Sequence, residues 1–304
     1  MILMNEIDQV VVVNGTMKPS MTVGCIGLGH LGHTIAQRLA TQGALFAVWN
    51  RTSGKAHDLG VPVAQTPGDL IGRVDVAILN LFDSDAVESV LAGPDGILSG
   101  NCTGKIIIDT TTNHFTRVAG FHNRVREHGA VYLECPVLGS VVPASQGKLT
   151  ILASGDRAAY ESVKPLLGMI GSTLFYLGEP ALATKMKLIN NLVLGSFMAT
   201  CAEAISLGEA AGIGRSEVID ILLSGAGNSM VLSAKKDKLN TGDFSPHFSS
   251  ALIYKDLHYL QDLSRTLNKP LFVGSTVKEL YAIARAKGIE DLDFSAIYTV
   301  FKEY

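Results

Sequence analysis

Cysteine, tryptophan and charge are all scarce in this chain: 304 residues carry four cysteines, one tryptophan and only 17% Asp, Glu, Lys and Arg. Cys25, Cys102, Cys135 and Cys201 lie far apart without C-x-x-C spacing, and most sit in apolar runs where a buried free thiol is the ordinary reading. That usage argues against a disulfide scaffold and implies a reducing compartment, the cytoplasm. Neither sign of charge dominates: 25 basic against 28 acidic residues leave a formal charge of −3, which gives no broad basic surface for a nucleic acid. The eight histidines form neither H-x-x-H nor H-E-x-x-H, and no metal site is expected. No run of about eighteen consecutive apolar residues occurs, so no membrane span is expected. Residues 1–20 place Glu6 and Asp8 ahead of an apolar stretch at 10–13 and lack the basic start and cleavage pattern of a signal peptide. They read as an N-terminal tail, or as a lead-in to a natural start at Met21.

Apolar residues and glycine are plentiful instead, at 47% and 31 residues, enough to bury a sizeable core in two domains. The most informative glycines lie between Val23 and Thr52, in VGCIGLGHLGHTIAQRLATQGALFAVWNRT. Residues 23–26 read as a short buried strand. Gly27, Gly29 and Gly32 follow at G-x-G-x-x-G spacing, and Leu31, Ile35 and Leu39 then recur as a helix face. Such a turn lets Gly27 bend sharply, Gly29 admit a pyrophosphate and Gly32 pack the helix on the strand. Leu28, His30 and Leu31 fill the places between them. A glycine-rich strand-to-helix turn with no ligand is the alternative.

A second strand at 45–49 ends in Asn50-Arg51-Thr52, roughly 20 residues beyond the turn, where an acid would hold the ribose 2′-hydroxyl of NAD. No acid is there. A carboxylate would repel a 2′-phosphate, whereas the Arg51 guanidinium can bind one by charge-assisted hydrogen bonds. The expected cofactor is NADP(H); the alternative for Arg51 is a solvated arginine after a strand.

Further strand-like runs recur at 74–82, 105–109, 131–137, 149–153 and 173–177 with helix-like stretches between several of them, which predicts a mostly parallel, doubly wound sheet. Beyond Gly178 the pattern changes. Residues 181–211 form a long helical pattern closed by Gly212 and Gly214, and 215–223, 257–267, 275–287 and a segment near Phe294 look helical. The expected organisation is a tail at 1–20, a Rossmann domain at 21–180 and an all-α substrate and dimerisation domain at 181–304. The long helix, which mixes Leu192, Gly195, Ser196, Ala199 and Ala202, is too apolar all round to be solvated. Its own chain or a second copy must cover it, and a homodimer is expected.

Within that helix, Lys187 and Asn191 stand one turn apart on one face, while Lys185 is about 200° away from Lys187. A hydride delivered to a carbonyl carbon leaves charge on oxygen, which a lysine ammonium can neutralise by proton transfer while the carboxamide holds the lysine or the oxygen in place. The alternative is a solvated helix face.

Taken in order, these segments resemble the β-hydroxyacid dehydrogenases over nearly the whole chain from Met21 onward. The family includes 3-hydroxyisobutyrate dehydrogenase and the glyoxylate/succinic semialdehyde reductases, and the NADPH-linked glyoxylate/succinic semialdehyde branch looks nearest. The resemblance is carried by GLGHLG with VWNRT, by Asp109-Thr110-Thr111-Thr112, and by Pro136-Val137-Leu138-Gly139-Ser140 with Gly147-Lys148-Leu149. Lys187-Leu188-Ile189-Asn190-Asn191, Tyr254-Lys255-Asp256-Leu257 and Asp291-Leu292-Asp293-Phe294-Ser295 complete it. It implies that Lys187 is the catalytic lysine and Asn191 its substrate-orienting asparagine. It also implies that Lys255 reaches the substrate or nicotinamide end, that Thr112 lies beside the nicotinamide, and that residues 80–83, with Leu81 and Phe82, line the cofactor. Without the family, Lys255-Asp256 reads as an ordinary surface ion pair.

Two departures stand out. Leu138 replaces the family's usual serine in the substrate loop, keeping an N–H but losing a hydroxyl, so Leu138, Gly139 and Ser140 are expected to bind a small carboxylate in an altered way, with Ser140 able to compensate. Gly178-Glu179-Pro180-Ala181-Leu182 replaces a more glycine-rich turn ahead of Lys187. The resemblance implies an NADPH-dependent oxidoreductase that reversibly reduces a small aldehyde or keto acid to a hydroxy acid. Imine reduction and a non-catalytic NADP-binding scaffold are the alternatives.

Overall fold

The computed structural model describes residues 11–12 and 21–303 and separates into two compact units, residues 1–187 and 188–304. The first unit is built on a nine-stranded sheet, the strands being β1 (Val11–Val12), β2 (Val23–Ile26), β3 (Leu45–Trp49), β4 (Val76–Leu79), β5 (Ile106–Asp109), β6 (Val131–Glu134), β7 (Val137–Leu138), β8 (Leu149–Gly155) and β9 (Gly171–Tyr176). Their order is β1-β9-β8-β6-β5-β4-β2-β3, with β7 paired to β8. Strands β3, β2, β4, β5 and β6 run parallel, the doubly wound arrangement that the alternating pattern predicts. The edge departs from it: β8 is antiparallel to β6, and β9 is parallel to β8. Most of the expected N-terminal tail lies outside the described residues, but Val11 and Val12 pair antiparallel with β9.

All four residues of β2 and of β4 are buried, as strands covered on both faces must be. The run expected as one strand over 131–137 is divided between β6 and β7. Pro136 sits at the break, where a residue without an N–H cannot donate to a ladder. The sheet is crossed by α1 (His30–Thr41), α2 (Pro67–Arg73), α3 (Ser84–Ala92), α4 (Phe115–Glu127), α5 (Val141–Ser145) and α6 (Arg157–Ile170). Thr66, Asp83 and Asp156 cap α2, α3 and α6 by accepting hydrogen bonds from the N–H groups of Asp69, Ala86 and Ala159.

Helix α7 (Leu182–Ala210) starts in the first unit and runs on into the second, followed there by α8 (Arg215–Ser224), α9 (Met230–Thr241), α10 (Ser250–Thr266), α11 (Phe272–Ala286) and α12 (Ile297–Phe301). By length and composition α7 is the one helix among the described residues that could cross a membrane, although lysines and asparagines interrupt its apolar run. Within the helical unit it is a packed core element: a side chain at Gly195 would touch Ile253 and Val277. The helix expected at 257–267 begins seven residues earlier, at Ser250, where Ser249 caps it. Helix α9 has no counterpart among the expected elements. Its buried positions include Lys235 and Lys238, whose ammonium groups reach Asp293 (2.8 Å) and the Ser245 carbonyl (2.6 Å), so its inward face is disguised as polar.

Candidate dinucleotide and catalytic site

The cofactor segments named from the sequence follow the carboxyl ends of successive parallel strands: 27–32 after β2, 50–52 after β3, 81–82 after β4 and Thr112 after β5. This is where open α/β sheets bind their ligands. Gly27 has φ +91°, and a Cβ there would lie 2.3 Å from the Asn80 carbonyl oxygen; one on Gly32 would lie 2.1 Å from the Gly27 carbonyl oxygen. Nothing stands within 4 Å of where a Gly29 Cβ would point. Gly29 opens α1 without a side-chain cap, and no acid occupies the helix's first turn, so its N-terminal N–H groups suit a pyrophosphate. The cradle therefore fits a dinucleotide.

Asn50 ties this turn to the next one, accepting from the Leu28 N–H at 2.8 Å and donating to the Thr52 carbonyl at 2.8 Å. Arg51 and Thr52 are exposed, as is His30; Leu31 is half-buried. His33 lies on α1. Its Nε2 lies 2.9 Å from Asp58 Oδ1, and that hydrogen bond lowers the Asp58 pKa.

A buried polar network fixes the turns after β4 and β5. Asp109 accepts from the Thr111 N–H (2.8 Å), the Asn113 carboxamide (2.7 Å) and the Tyr132 hydroxyl, while Thr111 Oγ1 accepts from the Leu81 N–H at 3.0 Å. Burial pushes both the Asp109 carboxyl and the Tyr132 hydroxyl above their ordinary pKa values. Leu81 and Thr112 are half-buried and Phe82 is exposed. In the loop expected to bind substrate, Leu138 lies on β7 opposite Thr150 and is half-buried. Gly139 has φ +111°, and any Cβ there would meet Leu149 at 2.9 Å, so this turn requires glycine. Ser140 leads into α5.

On α7, Lys187 and Asn191 are 7% and 0% exposed, whereas Met186 and Ile189 beside them are 41% and 43% exposed. The pair thus occupies the helix's inward side and is not a solvated face. In the helical unit, the Asn191 carboxamide donates to Asp256 Oδ2 at 2.6 Å and accepts from Asn190 at 3.2 Å. Lys255 Nζ lies 3.0 Å from Asp256 Oδ1 and 5.1 Å from the Tyr259 ring centroid. Asp256 is only 1% exposed, so the surface-pair reading fails. The sequence marks Asp256 only as a neighbour of Lys255 and gives no sign of its contact with Asn191. The signal of its burial is an acid at a core position of an amphipathic helix, in step with Ile253, Leu257 and Leu260. Among the described residues no cluster of metal-ligating side chains occurs, and all four cysteines are free and buried.

Residues 22–178 match the family of the NAD binding domain of 6-phosphogluconate dehydrogenase, and residues 182–301 match the NAD-binding family of NADP-dependent 3-hydroxyisobutyrate dehydrogenase. The chain belongs to the β-hydroxyacid dehydrogenase family. Among curated relatives, the cytokine-like nuclear factor N-PAC of Mus musculus is 34% identical over 95% of this chain and 53% of its own length. The chain therefore spans about half the length of N-PAC. The chloroplastic glyoxylate/succinic semialdehyde reductase 2 of Arabidopsis thaliana is 30% identical over 93% of this chain and 80% of its own. Among solved structures, Psf3 in complex with NADP+ and 2-OPP superposes with a TM-score of 0.86 at 29% identity, covering 92% of this chain and 99% of that one.

Proposed function

We propose that this chain is an NADP(H)-dependent oxidoreductase that reversibly reduces a small aldehyde or keto acid to the hydroxy acid, with Lys187 as proton donor and acceptor. The observation that carries the reading is a lysine buried one helical turn from a buried asparagine, in a chain whose first unit holds a dinucleotide cradle. The similarity to a glyoxylate/succinic semialdehyde reductase, and to a structure holding NADP+, supports the substrate class and the cofactor.

Gly27, Gly29 and Gly32 with the N-terminus of α1 would hold the pyrophosphate, and Arg51 the 2′-phosphate. When bound, the dihydronicotinamide would be the source of the hydride that the carbonyl carbon accepts. Lys187 gives its ammonium proton to the carbonyl oxygen as charge develops there, and takes a proton from the hydroxyl in the reverse direction. Asn191, itself held by Asp256, orients the oxygen or the lysine, and Lys255 supplies positive charge for an acid. Leu138, Gly139 and Ser140 offer backbone N–H groups and one hydroxyl to the carboxylate. Leu138 shifts preference toward substrates with some apolar surface.

A homodimer fits the outward side of α7, where Leu182, Met186, Ile189, Val193 and Phe197 form a stripe 40–46% exposed. Four buried thiols fit a reducing compartment.

The likeness to the nuclear factor N-PAC favours a second reading, a non-catalytic NADP-binding scaffold. Lys187→Ala separates the two. The catalytic reading expects intact NADPH binding and a kcat reduced about 100-fold or more. Wild-type protein that binds NADPH without turning over any carbonyl would favour the scaffold.

A further inference from the structure

Helix α7 begins without a cap of its own. The residue before it, Ala181, has no side-chain acceptor and sits at φ +72°, a left-handed conformation that is strained for a non-glycine residue. The Leu182 N–H turns back to the Glu179 carbonyl at 3.3 Å, and the next two N–H groups of the first turn are satisfied from the sheet. Ser154 Oγ on β8 accepts from the Ala183 N–H at 3.1 Å, and Glu134 Oε2 at the end of β6 accepts from the Thr184 N–H at 3.3 Å and from the Thr184 hydroxyl. Thr184 N–H is the donor that an ordinary N-cap side chain would take. Ser154 and Glu134 are register partners across β6 and β8, so one rung of the sheet holds the helix start. Lys187 is three residues further along the same helix.

We propose that Glu134 is a positioning residue for Lys187: its buried carboxylate replaces the missing cap of α7 and fixes the helix turn from which the lysine projects. This rests on the catalytic reading of Lys187.

The carboxylate is 1% exposed, and its second oxygen, Oε1, is buried without a hydrogen-bond partner. Two donors converge on Oε2, and a positive helix end faces the group, so the ionised form suits the contact. A proton on Oε1 would find no acceptor. Opposing ionisation are burial and a second buried carboxylate, Asp109, the register partner of Glu134 on β5; the Glu134 charge in turn raises the pKa values of the neighbouring Tyr132 hydroxyl and Cys135 thiol. The balance leaves the Glu134 pKa raised to about 7. The clamp is therefore charged above that pH and neutral below it.

The test compares wild type, Glu134→Gln, Thr184→Val and Lys187→Ala by NADPH titration, thermal melting, and kcat and KM across pH. Glu134→Gln is expected to bind NADPH as wild type does and to keep KM, but to lose about 10-fold in kcat, the cost of a misplaced catalytic group. It is also expected to lack the fall in kcat below about pH 7 that protonation of Glu134 should produce in wild type. Thr184→Val, which removes one donor and keeps the carboxylate, is expected to lower kcat in the same direction and to add little on top of Glu134→Gln; it decides the matter should Glu134→Gln fail to fold. Wild-type kcat and pH profile in the folded variants, alongside an inactive Lys187→Ala, would overturn the positioning role alone. A fully active Lys187→Ala would overturn the reading beneath it.

Discussion

The Asn191 carboxamide donates to the Asp256 carboxylate at 2.6 Å, and both side chains are buried in the helical unit. The same carboxylate lies 3.0 Å from Lys255 through its other oxygen, so one acid holds both polar groups that are proposed to face the substrate.

Removing that acid is predicted to disturb both. Asp256→Ala strands a buried carboxamide, which costs about 1–3 kcal/mol, and leaves Lys255 without this partner. Denaturant unfolding should register the loss. KM for an acidic substrate should rise, while the dissociation constant for NADPH stays within a few-fold of wild type. Unchanged stability would mean that Asn191 finds another acceptor.

The glycine turn yields a prediction with two opposite halves. Gly32→Ala places a methyl group 2.1 Å from a backbone oxygen, which cannot be relieved by rotating a side chain. It should destabilise the Rossmann unit by at least about 1–3 kcal/mol and abolish NADPH binding. Gly29→Ala meets nothing within 4 Å and should alter stability by less than about 1 kcal/mol, yet still weaken NADPH binding by obstructing the pyrophosphate. Thermal melts and cofactor titrations on the two variants check the contrast.

Arg51 is exposed at the end of β3, so its replacement should leave the fold alone. Arg51→Ala is predicted to weaken NADPH binding about 10- to 100-fold, the worth of a charge-assisted hydrogen bond of about 1.5–3 kcal/mol, and to leave NADH binding nearly unchanged. Equal effects on the two cofactors would remove the 2′-phosphate role.

Stability should depend on pH through Glu134. Its folded pKa is raised from 4.5 to about 7, so the folded state binds the proton more tightly than the unfolded state does. The resulting stabilisation is complete below pH 4.5 and is lost as pH rises through about 7, an amount on the order of 3 kcal/mol. Glu134→Gln should flatten that slope between pH 5 and pH 8. A slope identical to that of wild type would assign the titration to another group, Asp109 being the nearest.

What could be read from the sequence was local. The strand, turn and helix around Gly27, Gly29 and Gly32 are encoded within a few residues of one another, as are the strand at 45–49 and the face shared by Lys187 and Asn191, and each of these elements is present in the structure. What escaped depends on partners distant in the chain. Asp256 meets Asn191 across 65 residues, and Glu134 meets Thr184 across 50. Both acids look solvated until the fold buries them. Helix α9 was hidden for the same reason, because Lys235 and Lys238 turn inward to groups that only tertiary structure supplies. The long helix was legible as an element, but its N-terminal clamp was not, since the capping groups come from β6 and β8.

The most direct test of the account is NADPH consumption by the purified protein with glyoxylate, succinic semialdehyde and related short carbonyl acids, set against uncharged aldehydes and cyclic imines. The account predicts rapid turnover of at least one short acid, slower with NADH. NADPH binding with no turnover of any carbonyl would contradict it.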